Sequence, residues 1–358
     1  MAECGVLLMG YGLAGRVFHA PLIEATPGLR IRAVVTSNPD RQEQVRTDLP
    51  DARLIADPME AWEHRDGIDL IVIAGANVTH VPQALEAAAR GLHMVIDKPI
   101  AGTAADARRI ADAAQASGVQ VHAFQNRRWD SDFLTLRSIA ESGEIGRPHR
   151  LESRFERFRA LPRGTWRESG HPDDLGGVLL DFGAHLVDQA IELMGPVRTV
   201  HATARSVRHD DSADDDMQIS LGHTSGAVSL LVGSQAAAFG DPRFVLLGTK
   251  GGVRIDEADT QEAALRAGTV PGSPGWGVEA FGAQVRTLDG AVLIDDHREL
   301  LAGRWDGYYP AVLASIITDA PPPVPLDDVI ANLEVLDAAR LSASSGETVV
   351  LSRAAAHG

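Results

Sequence analysis

Cysteine is almost absent from this sequence, in which Cys4 is the only one among 358 residues. A single thiol cannot form an intramolecular disulfide bond, and it cannot supply a cysteine-rich metal centre. We therefore predict neither of these, and no other metal site is predicted. Because Cys4 lies in the first apolar run of the chain, we expect a buried side chain and not a reactive thiol.

Basic residues are also scarce, because 33 Lys and Arg stand against 49 Asp and Glu, which gives a formal net charge of −16. A surface of this sign repels phosphate backbones and anionic lipid, so neither nucleic acid nor a membrane surface is an expected partner. No hydrophobic run approaches the ~20 apolar residues that a membrane span requires. The chain also starts without the pattern of a signal peptide, so we expect a cytoplasmic protein.

The chain is longer than one hydrophobic core usually serves, so two domains are expected. Residues 1–124 alternate between strand-like and helix-like patterns with short connections. Strands are predicted at residues 4–9, 29–35, 69–74, 93–97 and 119–124, and helices at residues 16–25, 81–90 and 103–117, the last capped by Thr103 and followed by Gly118. This alternation indicates an α/β domain with a parallel, doubly wound sheet.

The pattern changes after residue 124. Strand-like stretches then follow one another at residues 149–158, 197–207, 217–222, 227–234 and 244–248, and helices are predicted at residues 131–142, 181–194, 309–319 and 327–344. Consecutive strands indicate a second domain, residues 125–358, of α+β type with a large, mostly antiparallel sheet. The acidic stretch at residues 210–216 is predicted to be a solvated loop.

A glycine-rich turn follows the first predicted strand directly. Its sequence, Gly10-Tyr11-Gly12-Leu13-Ala14-Gly15, fits G-x-G-x-x-G and precedes a predicted helix. In this pattern the first glycine allows a tight turn, the second lets the backbone approach a pyrophosphate, and the third permits close helix–strand packing. Because the strand–turn–helix context is also present, we predict that these six residues bind a dinucleotide in a Rossmann domain.

The end of the second predicted strand bears on the choice between NAD and NADP. An NAD-binding domain usually places a carboxylate there for the ribose hydroxyls, whereas this chain has Thr36 and Ser37, with Arg41 shortly after. Nothing at the strand tip would repel a 2′-phosphate, and Arg41 could pair with one. We therefore favour NADP over NAD. The alternative is that Asp40 binds the ribose and Arg41 is a solvated helix residue.

Two further groups of residues have the chemistry of a reactive site. Asp97-Lys98-Pro99 closes a predicted strand at the sheet edge where Rossmann folds bind ligands, and its lysine could reach both a nicotinamide and a substrate hydroxyl. Asp181 and His185 are four residues apart at a predicted helix start, so they should share one face. A carboxylate beside an imidazole suits a general base. Judged on spacing alone, a surface lysine and an ordinary helix pair remain alternatives.

Together these motifs resemble the Gfo/Idh/MocA oxidoreductase family over essentially the whole chain. The resemblance rests on GYGLAG, on DKP, and on GGVLLDFGAHLVD at residues 176–188, in that order. It implies a Rossmann domain plus an open-faced α/β domain, and hydride transfer between NAD(P) and a carbon of a sugar, inositol or related polyol. It also implies that Lys98, Asp181 and His185 are catalytic and that the Lys98–Pro99 peptide bond is cis.

Finer features resemble the branch that contains NADP-dependent scyllo-inositol dehydrogenases. These are FHAP at residues 18–21, DKP in place of the commoner EKP, and NRRWD at residues 126–130. One departure is Gly75-Ala76-Asn77, where the family commonly has Thr-Pro-Asn. The resemblance adds further cofactor contacts at Ala74, Asn77, His80, Asp97, Lys98, Asn126, Trp166 and Arg167, and substrate contacts at Lys98, Arg127, Trp129, Asp181 and His185.

The resemblance also implies a homodimer or homotetramer formed through the second sheet. The sequence thus predicts an NAD(P)-dependent dehydrogenase acting on a CH–OH group of a small polyol or sugar. Two alternatives stay open. One is a regulator that binds the nicotinamide cofactor without turnover, which would have no need of Lys98, Asp181 and His185 together. The other is a lyase or glycoside hydrolase that uses tightly held NAD transiently and produces no net reduced cofactor.

Overall fold

A computed structural model of the chain describes residues 3–63, 66–161, 164–209 and 212–351. The strands are β1 Cys4–Met9, β2 Leu29–Val35, β3 Arg53–Ile55, β4 Leu70–Ile73, β5 His93–Asp97, β6 Val121–Phe124, β7 Pro148–Glu156, β8 Val197–Arg205, β9 Asp216–His223, β10 Val228–Ser234, β11 Phe244–Gly248, β12 Gly251–Ile255, β13 Gly282–Asp289, β14 Val292–Glu299 and β15 Val349–Val350. The α-helices are α1 Ala20–Glu24, α2 Pro39–Asp48, α3 Asn77–Ala89, α4 Ala104–Ser117, α5 Ser131–Ser142, α6 Val178–Asp181, α7 Gly183–Met194, α8 Gln261–Arg266, α9 Tyr308–Thr318 and α10 Leu326–Ser345.

The first six strands form one parallel sheet in the order β3-β2-β1-β4-β5-β6. Every residue of β1, β4 and β6 is buried, as expected of parallel strands covered on both faces. This arrangement confirms the predicted doubly wound, Rossmann-like domain. Because parallel strands end at one edge, the residues after β1, β2, β4 and β5 all lie at the same edge of the sheet.

The chain forms two compact units, and neither is contiguous in sequence. The first comprises Met1–Asn126, Thr260–Trp276 and Arg304–Val329, whereas the second comprises Arg127–Asp259, Gly277–Gly303 and Ile330–Gly358. The prediction of a single division after residue 124 is therefore incomplete, because two later segments belong to the first unit. Aromatic burial explains why the segment Arg304–Val329 belongs to the first unit.

Aromatic side chains attach α9 and the turn before it to the first unit. Trp305 is fully buried and packs edge-to-face on Phe18, with ring centroids 5.8 Å apart. Tyr308 is also fully buried, and its hydroxyl donates to the carbonyl of Ala123 at 2.8 Å. Such contacts bury large apolar surfaces while satisfying the polar tip of the tyrosine.

Two helices of the first unit start earlier than predicted. The helix expected at residues 16–25 starts with a wide π-type turn, Ala14–His19, and continues as α1. The helix expected at residues 81–90 is α3, which starts at Asn77 and contains Pro82. The prediction for α4 is confirmed, because Thr103 Oγ1 accepts from the amide of Asp106 at 3.1 Å and Gly118 follows the helix with a φ of 66°.

The second unit contains a nine-stranded sheet in the order β14-β13-β12-β11-β7-β10-β9-β8-β15. Only β7 and β10 pair in parallel within this described sheet, which confirms the mostly antiparallel prediction. Helices α6 and α7 pack against β7, β9 and β10. The prediction did not include β12 to β15. Almost every residue of β14 is exposed, so its sequence lacks the alternation that marks a strand with one buried face.

Within the described residues, no helix has the length and apolar content that a bilayer span requires.

Candidate active site

The glycine turn joins β1 to the first helix in the way its sequence predicts. Gly10 has a φ of 103°, and a Cβ there would lie 2.7 Å from the carbonyl oxygen of Ala74. A Cβ on Gly15 would collide with the carbonyl oxygen of Gly10. Gly12 is different, because only the guanidinium of Arg41 lies near its Cβ position, at 3.6 Å. The turn therefore leaves an open backbone surface at Gly12, with a cation beside it.

Tyr11 lies inside this turn, but its side chain faces the protein. The ring is buried, and its hydroxyl donates to Asp48 Oδ2 at 3.2 Å. Arg16 binds the same carboxylate through Nε at 2.6 Å. Burial and the neighbouring Asp48 raise the pKa of the Tyr11 hydroxyl well above its ordinary value. Only the backbone of Tyr11 is therefore offered to a ligand.

The tip of β2 presents polar side chains and no carboxylate. Ser37 is exposed, and Asn38 caps α2 by accepting from the amide of Arg41 at 3.0 Å. This cap fixes the start of α2, so Arg41 leaves the first turn of the helix with its guanidinium close to Gly12. Across the described ranges the Arg41 guanidinium has no ion pair. A cation so placed suits a phosphate bound at the turn.

The segment after β4 supports the neighbouring strand end. Ala74 is buried at the tip of β4, and Asn77 is buried at the start of α3. His80 is also buried, and its Nδ1 bonds the carbonyl of Pro99 at 2.9 Å. This bond ties His80 to the segment that contains Lys98. Its predicted contact with the cofactor stays a prediction.

Asp97 and Lys98 lie at the carboxyl end of β5, followed by a cis peptide bond between Lys98 and Pro99, as the resemblance implies. Asp97 is buried, and its Oδ1 accepts from the backbone amide of Lys98 at 2.9 Å. Lys98 is half-buried, and the sequence contains only one other lysine, Lys250. The edge where ligands bind in such sheets thus has a single lysine at the end of a fixed strand.

Asp181 and His185 lie close in sequence but not on one continuous helix, so this part of the prediction is wrong. Asp181 is the last residue of α6 and His185 lies in the first turn of α7. The interruption is at Phe182, whose carbonyl accepts from the amides of both His185 and Leu186 at 3.0 Å. This double acceptance replaces the regular bond from His185 to the carbonyl of Asp181.

His185 lies in an aromatic environment in the second unit. It is 7% exposed, and its ring centroid is 6.3 Å from that of Phe155, with the planes nearly perpendicular. Phe155 in turn packs against Phe182 at 6.1 Å, and the guanidinium of Arg127 lies 4.8 Å from the Phe155 ring centroid. Asp181 is half-buried. An imidazole in such surroundings has little freedom to rotate.

A buried ion pair fixes the helix that contains His185. Asp188 accepts from Nε and Nη2 of Arg128, both at 2.8 Å, and Glu192 binds the same guanidinium at 3.0 Å. Arg128 and Asp188 are both buried. In this bidentate geometry Asp188 is a structural partner of Arg128. Arg128 did not figure in the predicted site, although it is part of the NRRWD motif.

The remaining residues of that motif lie around the start of α5. Asn126 is buried, Trp129 is half-buried, and Arg127 binds Asp130 at 3.0 Å. The backbone carbonyl of Arg127 accepts from Gln189 at 2.9 Å, which connects the motif to α7. Arg127 and Trp129 therefore lie on a segment tied to the helix of His185, and their contact with a substrate stays a prediction.

The Trp166–Glu168 turn is tied to the start of α6. The Arg167 guanidinium stacks 4.5 Å from the Trp166 ring centroid. The backbone carbonyl of Arg167 accepts from the amide of Gly177 at 2.8 Å. Gly177 has a φ of 93°, and a Cβ there would collide with Asp214. The turn therefore abuts the helix that ends in Asp181.

The acidic stretch was predicted to be a solvated loop, and this is wrong for Asp214 and Asp215. Asp214 Oδ2 accepts from the amide of Leu179 at 2.7 Å, and burial raises the pKa of Asp214 to about 6. Asp215 is buried and binds Arg208 at 2.8 Å. Residues 210 and 211 lie outside the described residues. In the sequence this stretch shows only an excess of aspartates. Such an excess is typical of loops and does not indicate which aspartates make internal contacts.

Among the residues that the structure describes, no group of three His, Cys, Asp or Glu side chains is placed to hold a metal ion. Cys4 is buried as expected, and burial raises its pKa to about 11.

Two family models match this chain. Residues 4–125 match the oxidoreductase family with an NAD-binding Rossmann fold, and residues 133–254 match the Gfo/Idh/MocA C-terminal domain. The uncharacterized oxidoreductase YdgJ of Escherichia coli is 32% identical over 344 residues, covering 96% of this chain and 97% of YdgJ. The scyllo-inositol 2-dehydrogenase (NADP(+)) IolW of Bacillus subtilis is 29% identical over 346 residues, 96% of this chain and 95% of IolW. A solved structure from Klebsiella pneumoniae has a TM-score of 0.88 at 35% identity, covering 98% of this chain and 97% of that one.

Proposed function

The chain belongs to the Gfo/Idh/MocA oxidoreductase family, and we propose that it is an NADP-dependent dehydrogenase that oxidises a CH–OH group of a cyclic polyol or sugar, such as an inositol. The observation that supports this most directly is Lys98, half-buried at the end of β5 on the sheet edge that also holds the glycine turn. A substrate oxygen bound at that edge would meet an ammonium donor.

The preference for NADP rests on the surroundings of Gly12. The open backbone there suits a pyrophosphate, because nothing but the Arg41 guanidinium would contact a Cβ at that position. Arg41 and the exposed Ser37 offer donors to a 2′-phosphate, and no described carboxylate pairs with Arg41. The name of IolW, a relative over nearly the whole chain, includes NADP(+). These residues therefore fit a bound NADP.

In the proposed reaction His185 takes the proton from the substrate hydroxyl as a general base. Asp181 orients that imidazole, and Lys98 donates to the same substrate oxygen as negative charge develops on it. The nicotinamide, when bound, supplies the hydride acceptor. Reduction of the ketone follows the same path in reverse. The roles of Lys98, Asp181 and His185 derive from their match to the family motifs.

The choice of a polyol rests on two relatives together with the donors of the site. IolW is named a scyllo-inositol 2-dehydrogenase, and a relative from Thermotoga maritima, 27% identical over 256 residues, is named a myo-inositol 2-dehydrogenase. Since one fold hosts many substrates, the names alone do not decide. Arg127 and Trp129 offer a guanidinium and an indole near α7, groups that bind hydroxyl-rich rings.

The test is the appearance of reduced nicotinamide absorbance with NADP, and separately with NAD, against a panel of inositols and aldoses. We expect turnover with NADP and at least one inositol. Lys98→Ala and His185→Ala should each lower turnover by roughly 10²-fold or more with cofactor binding retained. Lys250→Ala is the matched control for Lys98→Ala, and Arg41→Ala should weaken NADP binding more than NAD binding.

Three outcomes would contradict the proposal. Turnover like that of the wild type in both Lys98→Ala and His185→Ala would exclude the assigned roles. Cofactor binding without turnover of any compound in the panel would favour a regulator that binds the nicotinamide cofactor. Copurified NAD with conversion of a glycoside, but no net reduced cofactor, would favour the lyase or hydrolase alternative.

A further inference from the structure

A histidine outside the predicted site lies directly behind Asp97. His19 has no solvent exposure, and its ring packs on Phe124 with centroids 4.3 Å apart. Its Nδ1 is 2.6 Å from the hydroxyl of Tyr309, and its Nε2 is 3.9 Å from Asp97 Oδ1. Nε2 has no hydrogen-bond partner among the described residues. The imidazole thus lies between a phenol and the carboxylate at the strand end.

The hydrogen bond with Tyr309 determines which nitrogen of His19 carries the proton. Tyr309 is fully buried, and His19 is its hydroxyl's only partner among the residues described. A buried hydroxyl proton needs an acceptor, so Tyr309 donates to Nδ1. A neutral imidazole then carries its proton on Nε2, which faces Asp97. The opposite tautomer would place a lone pair against a carboxylate and leave the phenol proton without an acceptor.

The imidazole and the phenol keep these forms across the working pH range. Burial lowers the pKa of His19 to about 4, with the nearby His80 lowering it further and Asp97 raising it. Burial raises the pKa of Tyr309 well above its ordinary value, and that of Tyr308 likewise. His19, Tyr308 and Tyr309 therefore face Asp97 as neutral groups above about pH 5. Lys98 is the adjacent cation on the same strand end.

We infer that Tyr309 and His19 are positioning residues that hold the carboxylate of Asp97, and through it the backbone of Lys98, in the orientation that the cofactor requires. The N–H of His19 directs its positive end at the carboxylate from 3.9 Å, and Oδ1 of that carboxylate accepts from the amide of Lys98 at 2.9 Å. A carboxylate held at a strand end in this way can accept ribose hydroxyls. The inference rests on the proposed function insofar as Asp97 contacts the cofactor.

The experiment measures the dissociation constant of NADPH, and of NADH in parallel, by nicotinamide fluorescence at neutral pH. Tyr309→Phe removes only the hydroxyl, so His19 no longer has a fixed tautomer. We expect the dissociation constant of each reduced cofactor to rise about three- to tenfold, because a carboxylate that is no longer held in place binds the cofactor less well.

Tyr308→Phe is the matched control. It removes the same atom from the neighbouring buried residue, but that hydroxyl donates to the carbonyl of Ala123 and not to His19. A general loss of packing or of a buried hydrogen bond would affect both variants alike. The dissociation constants of Tyr308→Phe should therefore stay within about twofold of those of the wild type. In the double variant His19→Asn/Tyr309→Phe the dissociation constants should rise no further than in His19→Asn alone.

The outcomes separate the inference from the proposed function. Cofactor binding with the same dissociation constants in the wild type and Tyr309→Phe, or with an equal rise in Tyr308→Phe, would overturn the inference alone. Absence of binding of either reduced cofactor to the wild type would overturn the proposed function and the inference with it. A raised dissociation constant in Tyr309→Phe but not in Tyr308→Phe, without turnover of any polyol, would support the inference and contradict the proposed substrate class.

Discussion

The two units of the chain hold their functional residues by different means. In the first unit, buried histidines bind neutral partners: His19 binds Tyr309, His80 binds a backbone carbonyl, and His122 binds Gln120 at 3.1 Å. In the second unit, the supporting contacts are buried ion pairs, Arg128 with Asp188, Arg208 with Asp215, and Arg243 with Asp132 at 3.5 Å.

This difference determines how each unit tolerates substitution and pH. A neutral hydrogen bond contributes modestly to stability, and its loss leaves one uncharged group without a partner. A buried ion pair contributes little in net terms against an apolar replacement, yet loss of one partner leaves an isolated charge in a nonpolar environment. We therefore expect charge-removing substitutions to act most strongly in the second unit, and acid to act on the histidines of the first.

Breaking the Arg128–Asp188 pair should have the largest effect. Arg128→Ala leaves Asp188 buried and without its bidentate partner, so the free energy of unfolding should fall by about 3–5 kcal/mol. Urea unfolding followed by circular dichroism measures this change. A loss below about 1 kcal/mol would show that the second unit is not held by this ion pair.

Arg137→Ala is the control for that substitution. Arg137 also binds Glu192, at 3.3 Å, but its side chain is 34% exposed. An exposed pair contributes less than about 1 kcal/mol, so the control should remain close to the wild type. The double variant Arg128→Met/Asp188→Leu removes both charges, and it should regain most of the stability lost in Arg128→Ala.

Acidification should weaken the first unit through His122. Burial lowers the pKa of His122 to about 4, with His93 contributing, so the folded state keeps the ring neutral where the unfolded chain protonates it. The stability that this adds is present above pH 6.5 and is lost as the pH falls towards 4. His122→Asn should therefore remove about 2 kcal/mol of the fall in unfolding free energy between pH 7 and pH 5.

The stability difference between His122→Asn and the wild type is compared at the two pH values, so that any packing cost common to both pH values cancels. Urea titrations at pH 7 and pH 5 give the two differences from the wild type. An unchanged difference would mean that His122 is protonated equally in the folded and unfolded chains. His171→Asn is the control, because His171 is exposed.

Sequence alone predicted the first unit well where a structural feature depends on a few consecutive residues. The glycine turn, the Asp97–Pro99 segment and the caps of α4 each depend on backbone conformation over a few residues, so the motif determines the local structure. The hydrogen bonds between buried histidines and neutral partners could not be predicted in this way. His19 and Tyr309 are 290 residues apart, and the return of α9 to the first unit has no local sequence signal.

The second unit was predictable in class but not in its supporting contacts. Alternating strands such as β9 indicated the antiparallel sheet, whereas the exposed β14 gave no alternation. The interruption at Phe182 depends on which carbonyl accepts two amides, and hydrophobic periodicity does not encode this. Arg128 and Asp188 are 60 residues apart, so the sequence around either residue does not indicate that they pair.

Asp214→Asn should have the smallest effect, and it tests the difference between the two units most specifically. This carboxyl of the second unit should respond to pH in the opposite sense to His122 of the first. The pKa of Asp214 in the folded chain, about 6, lies above its ordinary value of 3.8 because burial outweighs the amide of Leu179. The folded state therefore binds the proton more tightly, and wild-type stability falls as the pH rises from about 4 through 6. Asparagine can still accept from that amide but does not ionise, so the unfolding free energy of the variant relative to the wild type should be higher at pH 8 than at pH 5 by about 1 kcal/mol.

Asp215→Asn, which removes the ionic partner of Arg208, should instead be less stable than the wild type at both pH values. An Asp214→Asn variant whose difference from the wild type does not change between pH 5 and pH 8 would show that the carboxyl is solvated as first predicted, and that the two units do not differ in this respect.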